Sequence, residues 1–319
     1  MKNPKYILVT GGEGYIGKSI CCFLSNKKMK IVSIDNLSNS KRKNLNNDII
    51  FHKIDLKDKS KLKKIFKNYN FETIVHLAAK TDARESNIKK KKYYLNNFIY
   101  AKKLLEIAQK NNTKNFIFAS SAAVYGSYKN SFKESDKKKP INYYGKYKLK
   151  FENHLSQSKM KYANLRFFNI CGADTNLKIG QRNNNGVVKK LCNAAYKNKY
   201  FYIYGNNFLT KDGYCIRDYL HIKDLNNILY KTLIYLRNKK KNITINCGTG
   251  KGTSVRDLIK NYPNKKLKIK IRKKINGDPP EVISNIYLLK KKLGYVPIYS
   301  SLKNILKSSI DWEKYLNSN

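Results

Sequence analysis

Two side chains four residues apart set the chemistry to look for. In Tyr144-Gly145-Lys146-Tyr147-Lys148, a helix would place Tyr144 and Lys148 on one face. A phenol with an ordinary pKa of about 10 is a poor base at neutral pH. A neighbouring ammonium favours the phenolate, so the pair predicts a tyrosine base with a lowered pKa. Of the clustered Tyr143, Tyr144 and Tyr147, only Tyr144 has lysine at the fourth position after it. A third partner comes from Phe118-Ala119-Ser120-Ser121-Ala122-Ala123-Val124-Tyr125-Gly126. Its serines follow an apolar run, and the Ser121 hydroxyl is placed to hydrogen-bond a reacting oxygen.

Upstream, Thr10-Gly11-Gly12-Glu13-Gly14-Tyr15-Ile16-Gly17 follows another apolar run and opens a helical pattern. Gly11 permits a tight turn, Gly14 lets the backbone approach a pyrophosphate, and Gly17 allows close helix–strand packing. The helix N-terminus favours the phosphate charge. Asp35 closes the next apolar run, where a carboxylate accepts the ribose hydroxyls of a dinucleotide and repels the extra phosphate of NADP. That favours NAD, although Lys41 and Arg42 follow closely. Asp55, in Ile54-Asp55-Leu56, either meets the adenine amino group or merely caps a strand end.

The elements that must position these residues alternate. Strands are expected at Tyr6–Thr10, Ile31–Asp35, Ile49–Ile54, Thr73–His76, Asn115–Ala119 and Ala163–Phe167. Helices are expected near Tyr15–Asn26, Ser60–Asn68, Tyr94–Asn111 and Tyr143–Ser158. Such alternation implies βαβ units and an α/β, doubly wound parallel sheet of the Rossmann kind. After about Phe168 short apolar runs mix with Asn- and Gly-rich loops. The expected organisation is therefore an NAD-binding domain over 1–170, to which the chain returns at about 215–246. A smaller α/β substrate-binding domain takes most of 171–319. Lys266–Ile271 alternates Lys with Leu and Ile, as a half-exposed strand would.

The 319 residues suffice for a large core. No apolar run of about 18 residues implies a membrane span, and the N-terminal residues lack the apolar stretch of a secretory signal. Six cysteines with no CxxC pair and four scattered histidines point to free thiols in a reducing compartment, with neither zinc site nor disulfide framework. The expected location is the cytoplasm. Lys and Arg number 67 against 21 Asp and Glu, a net charge of +46. The basic clusters, such as Lys89–Lys92 and Lys290–Lys292, are dispersed. They read as solvated surface rather than as a nucleic-acid face, and their field favours an anionic substrate.

With these residues in place, the chain resembles the extended short-chain dehydrogenase/reductase superfamily and, within it, the UDP-glucose (UDP-galactose) 4-epimerase family. The resemblance covers nearly the whole chain. It is carried by TGGEGYIG at 10–17, DNLSNSKR at 35–42, HLAA at 76–79, SSAAVYG at 120–126, YYGKYK at 143–148, LRFFN at 165–169 and YGNNFLTKDGYCIRDYLHIKDL at 204–225. It implies a catalytic group of Ser121, Tyr144 and Lys148. It implies NAD held by Gly11, Gly14, Tyr15, Ile16, Gly17, Asp35, Asn36, Asp55, Leu56 and Asn96, with Tyr144 and Lys148 reaching it too. Asn169, Arg217 and Asp278 would hold a UDP-sugar beside Ser121. Val282, fourth after Asp278, would line the pocket near the sugar's C2 substituent. There the family's tyrosine crowds out an N-acetyl group and a small residue admits one. Related dehydratases carry an acidic pair where this chain has Ala122 and Ala123.

Two departures stand out. Ile275 occupies the place of a family arginine three residues before Asp278, with Lys273 or Lys274 as possible point-charge substitutes. The uridine-contacting stretch, Asn183-Asn184-Asn185-Gly186-Val187, allows more than one register. The activity implied is NAD-dependent 4-epimerisation of a UDP-hexose through a 4-keto intermediate. The rivals are a UDP-N-acetylhexosamine epimerase, another NDP-sugar enzyme such as a decarboxylase, and a non-catalytic Rossmann protein binding a polyanion. The resemblance further implies a homodimer packed through the helices at about 94–111 and 143–158.

Overall fold

Consecutive, rather than alternating, burial marks the first strand. Ile7, Leu8 and Val9 are all withdrawn from solvent, the pattern of a strand covered on both faces by helices. The computed structural model describes residues 4–42, 46–126, 129–176, 178–239, 241–263, 267–275 and 277–318. Lys266 and Asn276, both within segments singled out above, lie outside the described residues.

Seven strands form the main sheet: β1 (Lys5–Thr10), β2 (Ile31–Asp35), β3 (Ile49–Lys53), β4 (Asn70–His76), β5 (Asn115–Ser121), β6 (Lys161–Phe167) and β7 (Ile243–Cys247). Their spatial order is β7-β6-β5-β4-β1-β2-β3, and β5, β4, β1, β2 and β3 pair in parallel. The chain runs outward from β1 to β3, then returns to the other side of β1 at β4. This reversal leaves a crevice beyond the carboxyl ends of β1 and β4, where open α/β sheets bind ligands. Leu8, Val32, Ile74, Phe116 and Phe118 of the sheet pack with Leu62, Leu104, Phe151 and Leu155 of the helices in one core.

The chain divides into two compact units. The first comprises 1–126, 137–166 and 229–245; the second comprises 127–136, 167–228 and 246–319. This corrects the expected return at about 215–246, which begins at Leu229: residues 215–228 stay with the second unit because Ile216–Arg217 and Tyr219–His221 pair with strands there. The excursion at 127–136 had no sequence signal. Its strand Lys129–Phe132 is recruited by Glu281–Ser284, a partner distant in sequence.

In the second unit, Ile216–Arg217 lies between Thr253–Ser254 and Glu281–Ser284. Asn169–Cys171 pairs with Tyr219–His221, and Phe201–Tyr204 with Ile269–Arg272. The last of these strands is exposed along its whole length, not half-buried as its alternation suggested: among the described residues it belongs to a two-stranded sheet with neither of its faces buried. Helices Val187–Tyr196 and Leu302–Ser318 were hidden among lysines and asparagines. Val188, Leu191, Cys192, Ile305 and Leu306 share a core, and Lys189 is buried against Glu313. The expected helix over Tyr94–Asn111 is interrupted: a π-helical turn, Leu95–Ile99, precedes Tyr100–Lys110.

Candidate active site

The first loop leaves β1 with Gly11 at φ +70°, where a Cβ would come within 2.8 Å of the Ala78 backbone nitrogen. Gly17 must be bare because a Cβ there would run into the Gly11 carbonyl oxygen. Gly14 is different: a Cβ would meet only that same oxygen, at 3.3 Å. Space is left above Gly14 rather than filled by the protein. Gly14 is also the N-cap of helix Tyr15–Asn26, with no side-chain cap and no acidic residue in the first turn. Tyr15, Ile16 and Gly17 form that first turn. The cradle fits a pyrophosphate, whose charge the uncapped helix end favours.

Asp35 lies at the carboxyl end of β2. Its carboxylate accepts the Glu13 and Leu37 amides at 3.1 and 2.7 Å and the Ser40 hydroxyl at 3.2 Å, tying the glycine loop to the next turn. Arg42, one of the two basic residues that clouded the cofactor choice, stacks on the Phe51 ring at 4.2 Å. Asn36 donates to Asp55 at 2.9 Å, and Asp55 also accepts the Lys57 amide at 2.9 Å, so it holds a turn as well as a neighbour. Leu56 is buried beside it. Asn96 sits half-buried in the π turn. The next residue, Asn97, is the one locked down: its amide exchanges two 2.8 Å bonds with the Lys80 backbone.

Ser121 ends β5, and Tyr144 and Lys148 lie one turn apart on helix Tyr143–Ser156. The helix starts where Asn142 accepts the Gly145 amide at 2.8 Å, and the Tyr144 amide donates to the Ser86 hydroxyl at 3.0 Å. The Ser121 side chain lies near enough to the Tyr144 phenol to favour its ionised form. The expected lowering of the tyrosine pKa is not what the free protein holds. Burial pushes the phenol above its ordinary value, against the pull of Ser121. The reason is where the ammonium goes. Lys148 Nζ donates to the Ala119 carbonyl at 2.6 Å and lies 5.8 Å from the Tyr144 ring centroid. Burial also draws Lys148 down to about 7, with Glu152 opposing. Beneath the site, burial holds His76 down at about 3, while Thr10 hydrogen-bonds its ring at 2.7 Å.

Residues not singled out by sequence surround this trio. Glu152 takes a two-pronged contact from Arg166, Nε at 3.0 Å and Nη2 at 2.7 Å, and accepts the Ser120 hydroxyl at 2.5 Å. Arg166 also donates to the Tyr125 hydroxyl at 2.9 Å. Glu152 falls four residues after Lys148 on the same helix face, a signal the spacing could have given.

The second unit holds the four remaining candidates, and strand pairing puts two of them side by side. Asn169 pairs in register with Tyr219, and Arg217 with Val282. Register partners in parallel strands share a face, so Arg217 and Val282 sit side by side, and Val282 is half-exposed rather than part of the core. Arg217 Nη1 donates to the Ile216 and Pro280 carbonyls at 2.8 and 3.3 Å. Asp278 turns the chain just before this strand, its amide donating to the Ile275 carbonyl at 3.2 Å. Lys274, one candidate substitute for the missing arginine, lies over Phe208 at 4.3 Å. The face is braced by Asp218, which sequence reasoning passed over. It is wholly buried and accepts bonds from Thr249, Gly250 and Ser284.

A family model described as the NAD dependent epimerase/dehydratase family matches residues 7–248. The chain belongs to this family. A curated relative, UDP-glucose 4-epimerase of Halalkalibacterium halodurans, is 33% identical over 97% of this chain and 95% of its own length. The crystal structure of UDP-glucose 4-epimerase from Brucella ovis in complex with NAD superposes with a TM-score of 0.91 at 30% identity, covering 96% of this chain and 97% of that one. The UDP-Glc/GlcNAc 4-epimerase of Campylobacter jejuni gives 0.83 at 31% identity, covering 98% and 100%. Within this NAD-dependent epimerase/dehydratase, no described helix is long and apolar enough to cross a membrane.

Proposed function

We propose that the chain inverts the 4-hydroxyl of a UDP-hexose, interconverting UDP-glucose and UDP-galactose through a transient 4-keto sugar, with NAD as cofactor. The observation that carries this reading is the Ser121–Tyr144 hydroxyl pair beside Lys148, with Ala122 and Ala123 where a dehydratase would need an acid and a base. Gly11, Gly14 and Gly17 would cradle the dinucleotide, Asp35 would accept its ribose hydroxyls, and Asn36, Asp55, Leu56 and Asn96 would hold the rest of it. When bound, NAD would supply a reversible hydride acceptor for the sugar C4. Tyr144, as phenolate, takes the proton from the 4-hydroxyl and later returns it, while Ser121 holds that oxygen. Lys148 carries the positive charge that keeps the phenolate accessible. Asn169, Arg217 and Asp278 grip the UDP, so the intermediate stays bound while the sugar presents its other face. Val282, beside Arg217, leaves room at C2, so N-acetylated hexoses are expected as substrates too.

The protein works in the cytoplasm as a homodimer. Tyr94, just before the π turn, lies against Tyr147 of helix Tyr143–Ser156 at 5.4 Å, and the two segments supply the paired helices for the interface. The test is incubation with UDP-glucose, UDP-galactose and their N-acetyl forms, then separation of the products. Conversion of either unacetylated sugar to its C4 epimer is expected; its absence overturns the reading. Denaturing the purified protein should release NAD, and release of NADP alone would remove Asp35 from its role.

A further inference from the structure

Helix Tyr143–Ser156 and the end of β5 are joined by two consecutive residues of the strand. Lys148 Nζ donates to the Ala119 carbonyl, and Ser120 donates to Glu152. The next residue is Ser121, whose side chain is a close neighbour of the Tyr144 phenol. The helix therefore cannot slide along the strand without breaking one of these bolts, and the Ser121–Tyr144 pair moves with them. Glu152 is the only one of the four bolt groups that is a side-chain anion, and it is fixed from a third element. Arg166 on β6 grips both carboxylate oxygens and spends another N–H on Tyr125, all of it buried.

We propose that Glu152, clamped by Arg166 and Ser120, is a positioning residue for the epimerisation reaction: it sets the register of Tyr144 against Ser121 and keeps Lys148 charged. This rests on the functional reading above. The groups facing Lys148 make the charge argument specific. Tyr144 and Glu152 come from its own helix, Phe118 and Ala119 from β5, His76 from β4, and Arg166 and Tyr125 stand behind Glu152. His76 is held neutral, so Glu152 is the anion that offsets the burial of the ammonium. A buried carboxylate at this distance along the helix raises the lysine's affinity for its proton.

Two variants separate the bolt from the charge. Ser120→Ala removes the bolt and leaves the ion pair. The double variant Glu152→Gln, Arg166→Met removes both charges, keeps an acceptor for Ser120, and avoids the buried unpaired guanidinium that Glu152→Gln alone would leave. For Ser120→Ala, kcat should fall about 3–10-fold with KM for the sugar nucleotide and the pH profile unchanged. For the double variant, the alkaline limb of kcat should move to lower pH. In the NAD-free protein, the Lys148 titration followed by NMR of Nζ-labelled lysine should shift the same way by about one unit. If both variants keep the wild-type kcat, pH profile and lysine titration, the cluster is merely structural and the proposal is overturned. If wild type epimerises no UDP-hexose, it is the functional reading that fails, and the lysine titration still judges the charge.

Discussion

The β5 end with helix Tyr143–Ser156, and the face carrying Arg217 and Val282, handle charge in opposite ways. At the first, a cation meets an anion where Arg166 forks onto Glu152, while Lys148 alone is bolted to a strand-end carbonyl. At the second, the Arg217 guanidinium bonds two backbone carbonyls. Bonds from a guanidinium to a neutral carbonyl are weaker than those to an anion. The first region is thus already committed before anything binds. The second holds a cation whose present partners a diphosphate would outbid.

That contrast can be broken at several points. The largest effect belongs to Tyr144→Phe, which should cost about 10²–10⁴-fold in turnover while leaving bound NAD in place. Turnover assays alongside the released nucleotide check both halves, and near-normal turnover would end the tyrosine's role as base. Next is Arg217→Ala, which should raise KM for the UDP-sugar about 10–100-fold with kcat less affected. Arg217→Lys should recover little of this, because a point charge lacks the fork. A kcat loss with unchanged KM would place Arg217 with the fixed region instead. Val282→Tyr sharpens the comparison within the second face. It should cut turnover of N-acetylated hexoses about tenfold or more and spare the unacetylated pair; equal loss on both, or none, removes Val282 from the pocket.

The smallest effect concerns His76 and appears in stability rather than rate. Its folded pKa, about 3, is below the ordinary value, so between roughly pH 6.5 and 3 the unfolded chain binds a proton that the folded chain refuses. Stability contributed by this group is present above the unfolded value and is lost as pH falls through the window. The slope is about 1.4 kcal/mol per pH unit at most. Denaturant titrations of His76→Gln across that range should show a shallower acid decline, and an unchanged slope would assign the loss to other groups.

Much of the first unit was legible because its signals are local. The glycine spacing, the strand alternation and the four-residue step from Tyr144 to Lys148 each lie within one loop or helix. The same step carried on to Glu152 was equally visible in principle, but a glutamate on a lysine-rich helix looks like a solvated partner until Arg166 arrives from another strand. What was illegible depends on chain segments far apart in sequence. Asp218 reads as the neighbour of a functional arginine, and only the return of 249–250 and 284 makes it a buried brace. Lys189 and Glu313 look like surface charges for the same reason: each is buried against the other's helix. The direction of the Tyr144 shift was misjudged because spacing reports that a lysine is near, not which acceptor its ammonium has chosen.

The route of the chain between the two units bears on how the molecule is made. The main sheet is incomplete until β7 emerges from the ribosome, long after β1 to β6 are available. The strand at Lys129–Phe132 must wait still longer for its partner at Glu281–Ser284. Neither unit can therefore mature as an independent N-terminal piece during synthesis. A nascent chain halted after residue 170 would expose the β6 flank of its sheet as an open edge. Splitting the gene at the apparent boundary should yield two insoluble halves that recover structure only when refolded together.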